Sequence, residues 1–248
     1  VSTDQSTLLT PDQLLDELEV LAAVEHAMVV EWLTVGCALG MDLPPEDGGP
    51  LTDAARDAAG AAASIAQDEM RHLSRVCRVL ADAGRSPSLD RAAAVTGPAG
   101  VLDLTPPTVA DAPALIAREE ALAAAVDWNY ARLLPSAAVV DGAQDVLQDG
   151  GTHAAGAAAL RRALGDPPPA DAVRVRRRTA ADASEQRLLD AGDSGYAVVA
   201  DALRQWLGAA DPFAGGGFRQ LAVRAMGHLD ELDRLQAQRG LLPAFTVP

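Results

Sequence analysis

Lysine is absent from this chain. All 20 basic residues among its 248 are arginines, set against 35 acidic residues, for a formal charge of −15. A chain so acidic is ill matched to a phosphate backbone, which argues against general nucleic-acid binding. Aromatic residues are scarce, at 3%, and alanine is the commonest residue. Strands favour aromatic and β-branched side chains, so a β-sandwich or barrel is excluded. Cysteine is nearly missing too: Cys37 and Cys77 are too few for a disulfide framework and form no Cys-x-x-Cys pair. Each falls inside a helical apolar pattern and reads as a small buried hydrophobe. No unbroken apolar run reaches the ~18–20 residues that cross a bilayer. Residues 1–10 are polar, without the basic-plus-apolar pattern of a signal peptide. The expectation is a cytoplasmic protein with no membrane partner. The lack of lysine, with the excess of Arg, Ala and Gly, is a mark of ancestry and carries no function.

What is present is helical periodicity. Thr10-Pro11 supplies an N-cap and a proline at the first helical position. Leu14, Leu18, Leu21, Glu25, Met28, Trp32, Val35 and Leu39 then share one stripe, predicting a helix over 11–39. A second helix is expected over 52–83, with Ala58, Ala62, Ile65, Glu69, His72, Val76 and Val79 on one face and Gly84 and Pro87 closing it. The stretch 85–107 is irregular and long, which suggests a functional or covering loop. A third helix is expected over 109–134, with Leu115, Glu119, Leu122 and Val126 on one face. Shorter helices follow at 136–148, 152–164 and 170–191, then 196–207 and 218–239. No segment alternates long enough to make a strand. The class is therefore all-α: one domain over 1–248, a four-helix bundle core at 11–165 and additional C-terminal helices at 166–248.

Three acidic residues break the apolar stripes. Glu25 sits mid-stripe on the first helix, Glu69 on the second and Glu119 on the third. A carboxylate on a buried face is costly unless it is paired or binds a metal. Glu69 and His72 are three residues apart, so both project from one helix face toward a common point. A bundle that holds two metal ions uses such inputs: a lone Glu on some helices and Glu-x-x-His on others. Carboxylates neutralise the ions, and imidazole adds a nitrogen donor while leaving positions open for oxygen or substrate. A single Glu-x-x-His is common by chance; three carboxylates at similar depth on successive helices make the metal reading. Glu120 is the neighbouring alternative, on a less apolar face with Ile116, Ala123 and Asp127.

These residues also resemble a known family. The run Leu21-Ala22-Ala23-Val24-Glu25-His26, with Trp32-Leu33 two turns on, is similar to the first helix of ferritin-like proteins. The run from Ile65 to Leu73, containing Glu69-Met70-Arg71-His72-Leu73 and followed by Gly84 and Pro87, resembles one branch of that superfamily. That branch is the ferritin-like domain of the violacein-pathway iminophenylpyruvate-dimer synthase. Leu115 to Glu119 looks like its next ligand helix, and Tyr196, Met226 and Pro243-Ala244-Phe245 fit loosely. The resemblance is good over 11–90, fair over 109–135 and thin beyond. It implies an inward-facing metal site with Glu25, Glu69, His72 and Glu119 as ligands, usually for two iron ions, with manganese or another divalent metal as the alternative.

The fourth helix departs from the pattern, because no second Glu-x-x-His exists. Asp149-Gly150-Gly151-Thr152-His153 is a shortened candidate, offering His153 and Asp149 as additional ligands; Asp193, between Gly192 and Gly195, is another candidate for the acidic part. His26 points about 100° away from Glu25 around the helix and, like His228, reads as a packing or hydrogen-bonding residue. Trp32 stands where the family usually has Tyr, which argues against ferritin-type iron oxidation. The cluster Arg174 to Arg178 reads as a salt-bridged helix face. The resemblance implies a non-haem metal-dependent oxidoreductase or oxygenase, acting on a small, amino-acid-derived or aromatic substrate in natural-product metabolism. The competing expectation is a ferritin-like metal-binding protein, or a helical partner protein with a degenerate site. Catalytic and substrate-binding residues are not assigned, and monomer and homodimer remain open.

Overall fold

The computed structural model describes residues 8–43, 53–105, 111–169, 172–209, 216–243 and 245. Most of them are helical. Helix α1 (Pro11–Ala38) opens with the expected capping box: Thr10 accepts from the Gln13 backbone and Gln13 returns the bond. Helix α2 (Asp53–Asp82) packs along it. Helix α3 (Ala112–Leu133) starts at an Asp111 N-cap and runs on into a 3-10 turn, Leu134–Val139. The short α4 (Ala143–Asp149) and α5 (His153–Leu164) follow, and α5 packs against both α2 and α3. Helices α6 (Ala183–Leu207) and α7 (Gly216–Gln238) form a hairpin.

α1 is apolar nearly all round. One 18-residue window has a mean hydropathy of 1.5, long and apolar enough by composition to span a membrane, and 83% of that window is buried inside the protein. Burial on every side is the reason such a helix can exist in a packed core. Leu14, Leu18, Met28 and Trp32 on α1, Leu39 at its C-cap, Leu80 on α2, Leu122 on α3 and Leu160 on α5 belong to one continuous cluster of buried side chains.

Four local expectations are corrected. The stretch 85–107 holds a β-hairpin, with β1 (Ala94–Gly97) and β2 (Gly100–Asp103) paired antiparallel from Ala94↔Asp103 to Gly97↔Gly100. Its strands are too short for period two to register in the sequence. It lies so close to α3 that a Cβ on Gly97 would sit 2.5 Å from that of Ala125. The helix expected over 170–191 does not form across 172–182. There the backbone N–H groups of Arg174 and Val175 donate to Ala38 O at 2.7 and 3.0 Å, and Leu242 N–H donates to Arg177 O at 2.7 Å. These tertiary bonds, with Val173 and Val175 buried two residues apart, override helix propensity. Arg174–Arg178 is therefore extended chain, not a helix face. The break expected at 192–195 is absent, because α6 runs through it. Gly192 serves close packing instead: a Cβ there would meet Gln236 Nε2 of α7 at 2.4 Å. The helix expected over 136–148 is divided into the 3-10 turn and α4.

Candidate metal centre

Glu25, Glu69, His72 and His153 converge. One ligand atom from each lies within 4.8 Å of the others, and Glu25 and His153 are fully buried. Glu69 and His72 meet across one turn of α2, with His72 Nδ1 3.3 Å from Glu69 Oε2 and 3.7 Å from Glu25 Oε2. His153 Nε2 stands 3.3 Å from Glu25 Oε1 and 2.8 Å from Glu69 Oε2. Among the described residues, neither His153 Nε2 nor Glu25 Oε2 has a hydrogen-bond partner. Of the four residues His72 is nearest solvent, its side chain 12% exposed.

α3 positions this group without joining it. Asp127 Oδ1 accepts from both the backbone and the ring Nδ1 of His153, each at 2.9 Å, and Oδ2 accepts from Ala154 N at 2.9 Å. One carboxylate thus caps the start of α5 and keeps the His153 proton on Nδ1, leaving Nε2 free for a ligand role. The Tyr130 hydroxyl donates to Glu25 Oε1 at 2.7 Å. Gly150, just before His153, is required by this ring, since a Cβ there would lie 1.9 Å from Tyr130 Cε1. The phenol that the first helix lacks at Trp32 therefore arrives from the third.

The electrostatics follow from these contacts. Burial alone would raise the Glu25 carboxyl; the His153 and His72 imidazoles outweigh it and hold it down at about 2. Burial alone would lower His72, but Glu25 and Glu69 lift it to about 9. His153 is lifted the same way, by Glu25 and Glu69 and then Asp127. The lowered Glu25 carboxyl and the raised imidazoles thus favour opposite charges that offset each other. A bound dication would take over that role from the imidazole protons.

The sequence-predicted ligands divide into two sets. Glu25, Glu69, His72 and the additional candidate His153 come together. Glu119 does not join them. Its carboxylate, fully buried, lies with Glu31 of α1 about one guanidinium: Arg118 Nη1 reaches Glu119 Oε1 at 2.9 Å and also bonds Glu31 Oε1. The reason is axial position. α1 and α3 run antiparallel, so Tyr130, three turns beyond Glu119, meets Glu25, while Glu119 meets Glu31, nearly two turns beyond Glu25. Burial, then Glu31 beside it, pushes the Glu119 carboxyl far up. Arg118 also donates to the carbonyls of Asp103 and Thr105, so this cluster ties α1, α3 and the hairpin together. Asp149 ends α4 on the surface, paired with Arg75. Glu120 is clamped by Arg161 at 2.5 and 2.7 Å on the outer face. Asp193 is inside α6, away from the group.

Asp127 and Tyr130 were missed as site residues. Their signal was available: they are three apart on α3, one turn of helix, and Asp127 continues the face that begins at Ile116 and Glu120. Comparison with protein-family models, with curated proteins and with solved structures finds no match. The functional reading therefore stands on the geometry of the site.

Proposed function

We propose that Glu25, Glu69, His72 and His153 hold one divalent transition-metal ion in a ferritin-like helical bundle made by α1, α2, α3 and α5, and that the protein is a non-haem metal-dependent oxidoreductase. The observation that carries this is the spacing of the donors. Four ligands at about 2.1 Å from one ion stand about 3.4 Å apart in a tetrahedron. Here Glu69 Oε2 lies 2.8 Å from His153 Nε2 and 3.3 Å from His72 Nδ1, Glu25 offers Oε1 to His153 at 3.3 Å and Oε2 to His72 at 3.7 Å, and one ligand atom from each of the four residues lies within 4.8 Å of the others. Two buried atoms of this group without partners, Glu25 Oε2 and His153 Nε2, are what an ion would satisfy. Two imidazoles and two carboxylates suit iron(II), manganese(II) or zinc(II). Only two carboxylates are present where a paired-iron centre uses four, which favours a single ion over two.

Such an ion supplies Lewis acidity and, if it is iron or manganese, electron transfer to or from a bound small molecule. The chain's own contribution is placement. Asp127 orients His153, Tyr130 holds Glu25, and the surrounding Ala and Leu side chains exclude water. Exchange with solvent would occur at His72. The substrate class favoured by the resemblance, a small amino-acid-derived or aromatic molecule, belongs to this same proposal.

Complete burial of Glu25 and His153 favours a second reading, in which the ion is structural and has no open position. Two measurements separate them. Metal analysis of the folded protein should give about one equivalent per chain, lost in Glu69→Ala and His72→Ala with helicity retained. Retention of metal by both variants would end the site assignment. In the cobalt(II)-loaded protein, added azide should shift the visible bands if a coordination position is open. An unchanged spectrum would establish the structural reading.

A further inference from the structure

α1 and α2 turn a second face away from the metal group, toward the α6–α7 hairpin. A partly open cavity of about 220 Å³ lies there. Its walls are apolar and include Val29, Leu73, Met70, Val199, Met226 and Phe245. By comparison, an apolar cavity of about 150 Å³ takes up benzene, so this one accommodates a ring with a short alkyl arm.

The two ends of the cavity differ. At one, His26 and Tyr196 are already satisfied: His26 Nδ1 donates to Leu89 O at 2.6 Å, and the Tyr196 hydroxyl donates to Nε2 at 2.5 Å. The Arg91 guanidinium also lies over the Tyr196 ring, 5.5 Å from its centroid. The other end carries three carboxyls, Asp42, Asp230 and Asp233. Asp230 is paired with Arg234, on the outside, at 3.0 Å. Asp42 accepts a bond from Cys37 Sγ at 3.1 Å, which is neutral. Asp233 is only 8% exposed, and its buried Oδ1 has no partner. Burial, then Asp42 and Asp230, lift its carboxyl to about 8. Among the described residues, three acids thus face one guanidinium, and Oδ1 of Asp233, a residue that lines the cavity, is buried without a hydrogen-bond partner. A polar group kept in such a place costs free energy unless a partner arrives.

We infer that this cavity is a binding site for a small apolar amine, with its ammonium group on Asp233 and Asp42 and its ring or alkyl body among the Met, Leu and Val side chains. An ammonium entering the cavity meets the Asp233 carboxyl among the lining residues and favours its ionised form over the neutral one that burial imposes. The apolar body replaces space that water fills poorly. The site is separate from the metal centre and stands independently of it.

The test is calorimetric titration of the full chain with 2-phenylethylamine and with 2-phenylethanol, which differ only in the charged head. The amine should bind at least about tenfold more tightly than the alcohol. Asp233→Asn should remove that preference while leaving the alcohol's affinity within about twofold. This variant relieves a buried acid, so it should fold. Val199→Phe, which fills the chamber, should abolish binding of both. Equal affinity of amine and alcohol, a preference that survives in Asp233→Asn, amine binding undiminished in Val199→Phe, or no amine binding at all would each overturn the assignment.

Discussion

Asp127→Asn separates the orienting role of α3 from the ligands themselves. In the native chain one carboxylate accepts three bonds, from His153 N, His153 Nδ1 and Ala154 N, all at 2.9 Å. Asparagine keeps the shape but only one accepting oxygen. If that oxygen stays on His153, the amide N–H₂ faces the Ala154 N–H, and two donors oppose each other. If it turns, the imidazole loses its acceptor and the tautomer with a free Nε2 is no longer favoured. Either way, the negative charge that strengthens the ring as a ligand is gone. Loss of such a carboxylate–imidazole contact costs about 10- to 100-fold in metal affinity, or roughly 1.4–2.8 kcal/mol. Loss of the helix cap should cost a further 1 kcal/mol or so in stability of the metal-free protein. Competition against a chromophoric chelator measures the first, and urea unfolding of the metal-free protein the second. Asp149→Asn is the matched control: that side chain is on the surface with Arg75, more than half exposed, and its affinity should stay within about twofold of the native value. Affinity unchanged in Asp127→Asn, with Glu69→Ala abolishing uptake, would refute the idea that Asp127 sets His153.

Gly150→Ala should destabilise the protein by about 1–3 kcal/mol in urea unfolding, because the added methyl overlaps the Tyr130 ring. Gly60→Ala, with nothing near the new methyl, should instead gain about 0.5–1 kcal/mol; equal effects would sink the close-approach argument. Arg118→Ala strands the buried acids Glu31 and Glu119 and should cost about 3–5 kcal/mol; a loss under about 1 kcal/mol would show that the acids do not need the guanidinium. Burial, only partly offset by the Leu89 carbonyl, holds His26 down at about 4, below an unfolded value of about 6.5. Between those pH values the unfolded chain takes up a proton that the folded chain refuses, so stability is full above about 6.5 and falls by up to about 3 kcal/mol on acidification to 4. His72 and His153, shifted up, have the opposite sign, so the check is the difference between native and His26→Gln unfolding curves. A difference that is flat over that window would contradict the buried neutral imidazole.

Helix existence was legible along most of the chain because period and caps are local. The Thr10 box, the Asp111 cap and the stripes of α1, α2 and α3 are all written within a few residues of where they act. The odd carboxylates on those stripes were legible for the same reason, and Glu25, Glu69 and His72 do come together. What failed was whatever depended on a distant backbone. The extended strap 172–182 is held by the carbonyl of Ala38 and by the C-terminal segment. The continuous α6 tolerates Gly192 because α7 presses on it. Glu119 has the composition of a ligand and the wrong height, since only the antiparallel offset of α1 and α3 decides which acid meets which partner. Residue type and spacing along one helix thus determined that buried charge had to be neutralised. The relative slide of the helices decided by what: two imidazoles at Glu25 and Glu69, and an arginine at Glu31 and Glu119.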